Sequence, residues 1–154
     1  MRIPILVTAA LIAAAALAAS ASAGDGPRTM TLSTPFDGGK SRHVDVGKRG
    51  FSTGDMFTVT GQPVSDEASG RRVGSLDAME TVVSRLHNGT ASMAATLRLA
   101  DGTIHGAGII RHTDAPPRLP VTGGTGAYAG ARGQVTITED DARKRTIMRL
   151  ELLQ

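Results

Sequence analysis

Cysteine and tryptophan are absent from this chain of 154 residues, tyrosine occurs once, and aromatic residues make up only 3% of it. Without cysteine there is no disulfide and no thiol-linked lipid, so the fold must rest on its apolar core and on any subunit contacts. The scarcity of aromatic rings removes the platforms on which single-stranded nucleic acid is usually stacked. Charge points the same way: 17 Lys and Arg stand against 14 Asp and Glu, scattered along the chain, so a pI near 9.9 reflects a small excess rather than a basic stripe. No nucleic-acid partner is expected. No nucleophile elbow of the G-x-S-x-G kind occurs, and His105 and His112 have no third ligand at a recognisable metal spacing. Neither a metal centre nor any other cofactor is expected.

The N-terminus does hold a long apolar run. Arg2 precedes residues 3–19, and Ala21, Ser22 and Ala23 close the segment, the pattern of a secretory signal cut after Ala23. The expectation is a secreted protein, extracellular or periplasmic, with roughly 130 residues left to build one domain. No later run approaches the ~20 apolar residues of a membrane-spanning helix, so no membrane span is expected. Residues 24–42 are polar and glycine-rich and are expected to be partly disordered, with short strand candidates at 29–33 and 43–46.

From Met56 onward apolar residues alternate with polar ones. Phe57 and Val59 alternate with Thr58 and Thr60; Met93, Ala95, Leu97 and Leu99 form one face of a second segment; Met148, Leu150 and Leu152 form one face of a third. These are half-buried strands. Asp101 and Gly102 read as a two-residue hairpin turn, and Arg143, Lys144 and Arg145 as a solvated one. No helix is expected after the leader. Several short strands divided by turn residues make an all-β sandwich or barrel.

Residues 119–135, LPVTGGTGAYAGARGQV, admit two readings. A strand entering a glycine-rich turn is how dinucleotide sites begin, but that fingerprint requires a helix next. Gly126, Gly130 and Gly133 would each cost such a helix roughly 1 kcal/mol relative to alanine, which argues against it. The other reading is a barrel corner, where glycines adopt positive φ and let strands approach closely.

The run VTGGTGAYAGARGQV resembles AVTGGTGxFxGAxGQV of plant allene oxide cyclases and, more loosely, GGTGxFxxARG of dirigent proteins. Residues 54–74, GDMFTVTGQPVSDEASGRRVG, are similar to the cyclase run GDLVPFxNxLYxGDLKKRVG. The resemblance covers about residues 43–135. It implies an antiparallel β-barrel of about eight strands over residues 43–154, an interior able to hold one small lipophilic molecule, and assembly as a homotrimer.

Within that frame the strand from Leu76 to Val83 carries the sharpest anomaly. Asp77 and Glu80 are an odd number of positions apart and point to opposite faces, so one carboxylate faces inward. The resemblance sets Glu80 where plant cyclases have a cavity cysteine, and Arg132 where dirigents have a cavity arginine. Glu80 would transfer a proton and Arg132 would hold a developing oxyanion. The plainer alternatives are a rim carboxylate paired with an arginine and an arginine that clamps the glycine-rich corner. Phe57, Leu76, Ala78, Val82 and Leu97 would line the ligand. Tyr128 would pack the corner, and His43 and His87 would be exposed.

Three functions fit: a cofactor-free isomerase or cyclase that folds a lipophilic substrate into one reactive conformer, a non-converting carrier, and a trimeric scaffold with a filled interior.

Overall fold

Alternating side chains produce strands throughout the chain. The structure, a computed structural model, describes residues 27–84, 89–111, 113–114 and 116–153; the expected leader, His87 and His112 lie outside them. Nine strands follow in order: β1 Arg28–Pro35, β2 Lys40–Val44, β3 Met56–Asp66, β4 Arg72–Ser84, β5 Thr90–Leu99, β6 Gly102–Arg111, β7 Arg118–Gly126, β8 Arg132–Asp140 and β9 Arg145–Leu153. Among the described residues there is no helix.

From β3 to β9 each strand pairs antiparallel with the next, β1 adds to β9, and β1 closes on β3 through Leu32 with Asp66 and Ser33 with Ser65. Eight strands thus form a closed antiparallel barrel. β2 stands outside that count, because it pairs with β3 alone, from Lys40 opposite Thr60 to Val44 opposite Met56. β1 and β2 therefore share one edge of β3, and the wall splits where β1 gives way to β2. That split is the mouth.

Inward-facing rows fill the other end of the barrel. Val64, Leu150 and Leu152 are fully buried, and Leu32, Leu97, Ile104, Leu119 and Tyr128 pack with them. At roughly 25 cal/mol per Å² of apolar surface removed from water, this cluster is the main stabilising term in a fold without disulfides.

Three expectations shift. The barrel starts at Arg28, inside the segment expected to be partly disordered and well before His43, because β1 gains stability from pairing along its whole length with β9 rather than from its few apolar residues. The β5–β6 turn is Ala100–Asp101, with Gly102 already paired to Leu99. Glycine is needed at 102 because a Cβ there would strike the carbonyl oxygen of Thr125 on β7. Of the basic run, Arg145 is half-buried and bridges Glu67 at 2.7 Å and Asp140 at 3.4 Å, so only Arg143 and Lys144 belong to the exposed turn.

The glycine-rich segment makes a hairpin corner between β7 and β8, which removes the nucleotide reading. Gly126 (φ 62°) and Gly130 (φ 78°) turn the chain through residues 127–130, and the Tyr128 ring enters the core.

Candidate functional site

Register carries side chains of one face from strand to strand, and it decides what lines the mouth. Glu80 on β4 lies opposite Phe57 on β3 and Met93 on β5; Ala78 lies opposite Val59 and Ala95; Leu76 opposite Gln62 and Leu97. Directly opposed residues share a face, so Glu80 belongs to the inward row with Leu76 and Ala78. Asp77 takes the outer face, where it accepts the Gly61 N–H at 2.8 Å and Arg98 Nε–H at 2.8 Å. The Gly61 bond first, then Arg98, hold its carboxyl below the usual range.

The mouth opens into a cavity of about 470 Å³, within the size range of small-molecule sites. Leu76, Ala78, Met93, Ile110, Ile137 and Met148 form its apolar wall, and Glu80, Glu139, Thr34 and Gln62 supply polar groups. Gln62 is buried and donates through Nε2 to the carbonyls of Pro35 and of Asp37, the latter at 3.2 Å, which pins the β1–β2 connection to the rim. Thr34 is 5% exposed, and its Oγ1 is the buried side-chain polar atom without a hydrogen-bond partner among the described residues. A buried hydroxyl of that kind calls for a partner in the space it faces.

β2 extends the sheet beside β3 at the mouth, with all five of its residues exposed. His43, opposite Phe57, stacks on that ring with centroids 4.4 Å apart and planes 3° from parallel. His43, Phe57 and Glu80 line one recess beside the cavity. Behind the imidazole, His43 Nε2 lies 3.6 Å from Oδ2 of Asp55. Asp55 is completely buried and accepts the N–H groups of Val46 and Ser52, each at 2.8 Å, and the Ser52 hydroxyl at 3.1 Å. Those backbone bonds, Val46 foremost, hold its carboxyl below its ordinary range despite burial.

The residues singled out from sequence separate into groups. Phe57, Leu76, Ala78 and Glu80 line the recess or the cavity. Val82 and Leu97 share the inward face but lie in packed surroundings, Val82 bonded through its backbone to Gly54 and Asp55 and Leu97 inside the main core. Arg132 is exposed at the start of β8, three residues before inward-facing Val135 and therefore on the opposite face, at the far end of the barrel from Glu80. The structure does not bring Arg132 and Glu80 together. Tyr128, 2% exposed, packs the corner, with the Arg28 guanidinium 5.3 Å from its ring centre. His105 sits between two threonine hydroxyls, each at 3.1 Å.

Glu139 and His43 are site residues that the sequence pattern does not single out. Glu139 shares parity with Val135 and Ile137, so alternation alone could have found it. His43 reads as exposed in sequence and is exposed in the structure, and nothing in the sequence announces its contact with Asp55 across a glycine-containing loop.

The family model described as the allene oxide cyclase barrel like domain matches residues 39–152. A comparison with curated protein sequences gives no match. Among solved structures, a pyocyanin demethylase is similar with a TM-score of 0.69 at 28% identity, over 81% of this chain and 99% of that one. A pterocarpan synthase dirigent protein is similar at 0.60 and 18% identity, over 82% of this chain and 81% of its own. An exo-specific intermolecular Diels-Alderase gives 0.64 and 16%, over 82% of this chain and 96% of its own.

Proposed function

The chain belongs to the allene oxide cyclase barrel-like family, and from that premise we propose that it binds a small lipophilic molecule at the barrel mouth and steers its cyclisation or isomerisation without a cofactor. The observation that carries this is an inward-facing carboxylate, Glu80, on an otherwise largely apolar wall of a cavity of about 470 Å³. An apolar wall fixes ligand shape, and a few placed polar groups fix its orientation. Thr34 supplies one such group, with a hydroxyl that a ligand oxygen or nitrogen would satisfy. Relatives named for demethylation and for cycloaddition indicate that the scaffold hosts several reactions, so the chemistry must be read from the site.

The outer face supports a homotrimer. Met79, Ala94 and Ala107 are neighbours in register across β4, β5 and β6, and all three are exposed together with Val83 and Ile109. Contiguous exposed apolar surface of this kind marks association sites. Export through the N-terminal leader completes the proposal, and N-terminal sequencing of protein recovered outside the cytoplasm should begin at Gly24.

Titration with the apolar dye Nile red tests the binding reading. The chain should sequester the dye, and Ala78→Trp, which fills the cavity, should weaken binding by at least about tenfold, or about 1.4 kcal/mol, with the β-sheet circular dichroism intact. Equal binding by the variant would place the dye elsewhere and refute the reading. Conversion of a bound compound that stops in Glu80→Gln marks a catalyst; retention without change marks a carrier.

A further inference from the structure

Besides the Glu80 and Glu139 carboxylates the mouth holds an ionisable imidazole, and ligand binding alone gives it no task. We propose that His43, set on β2 over the recess and positioned by Asp55, is the proton donor that works opposite Glu80 as base. This inference rests on the binding reading above and extends it to substrates whose ring opening, ring closure or double-bond shift removes a proton at one atom and returns one at another.

Three observations converge. His43 and Glu80 line the same recess, Glu80 beside Phe57 in register and His43 stacked on the Phe57 ring. A planar ring held face to face on another cannot turn freely, so the imidazole edge keeps its direction. The buried Asp55 carboxylate lies 3.6 Å from Nε2. An acid behind an imidazole holds it in one orientation. Backbone bonds from Val46 and Ser52 keep Asp55 anionic, as that role requires.

Two charged groups line the recess with His43, Glu80 from β4 and its β2 neighbour Arg42, whose strand position points it to the other face, and Asp55, from the loop before β3, faces the imidazole from behind. β3 and β5 present Phe57, Val59 and Met93 there, none of which titrates. The proton balance is simple. The Glu80 carboxylate takes a proton from the substrate, the freed electron pair makes the new bond, and the atom that gains electron density takes a proton from the imidazolium. Product and substrate are isomers, and nothing is oxidised or reduced.

Benzisoxazole, an apolar heterocycle, is a suitable probe. Removal of the proton on its ring carbon forms the nitrile, breaks the N–O bond and builds negative charge on the phenolate oxygen, which a proton donor stabilises. The full-length chain should open it with a rate that rises and then falls with pH. Glu80→Gln should abolish turnover. His43→Gln should lower kcat/KM by about a hundredfold, the low end for general acid–base catalysis, and remove the alkaline fall, while Nile red binding is kept. His43→Phe retains the stack and gives the same readings should the glutamine variant fail to fold. A His43 variant with wild-type rate and both limbs overturns the inference and leaves the binding reading standing. Nile red bound without ring opening does the same, and no Nile red binding overturns both.

Discussion

At the scale of single residues, burial and hydrogen bonding separate side chains that look alike in sequence. Asp55 and Asp77 are both lowered carboxylates, but one is sealed behind the loop that follows β2 and the other tethers Arg98 on the outer surface. A lowered folded pKa means that the native state favours the ionised form, so the stabilisation is whole above the ordinary value of 3.8 and is lost as pH falls through the lowered one. Asp55→Asn should therefore reduce the urea midpoint at neutral pH and reduce it progressively less as pH falls below the ordinary carboxylate range; a loss of equal size at every pH would remove the linkage. Tyr128 is raised, by burial first and by its hydrogen bond with Asp101 second. Being the only tyrosine in a chain without tryptophan, it can be followed by ultraviolet absorbance, and its midpoint should lie above 10.0 in the native protein. A midpoint at 10.0 or below would mean that the corner admits water.

At the scale of strands and turns, alternation is the readable signal and register is not. Parity in sequence sorts Asp77 from Glu80 correctly, and it also sorts Arg132 from Val135, so the outward direction of Arg132 is legible from its spacing alone. The hydrogen-bonded pairing that sets His43 beside Phe57, and the loop that returns Asp55 beneath it, join segments through long-range contacts that no local pattern encodes. The same holds for Gly102, where the neighbouring strand, not the turn, demands glycine. Gly102→Ala should lower stability by about 1–3 kcal/mol or more, as overpacking against fixed backbone does. A urea midpoint equal to that of the wild type would refute the close approach of β6 and β7.

For the whole molecule, the all-β class and the eight-strand barrel follow from strand count, turn residues and the motif resemblance, and the family match covers most of the chain. Less legible was the place where the barrel begins, since β1 is polar along much of its length and is stabilised by partners distant in sequence. The split wall follows from that same strand pairing, and it gives the barrel one open end. The outer apolar face belongs to this scale too. Light scattering should give three chains per particle, and Met79→Glu combined with Ile109→Glu should give one. A monomeric wild type would contradict the trimer and leave the cavity untouched.

Ligand binding inside the mouth is the central claim, and methionine methyl NMR tests it most directly. Met93 and Met148 line the cavity, Met79 borders the recess beside it, and Met30 packs against the core toward the far end. In a chain labelled at the methionine methyls, saturation with Nile red should move the Met93 and Met148 resonances by ring-current shifts and leave Met30 in place. Movement of Met30 with Met93 and Met148 unchanged would contradict the account.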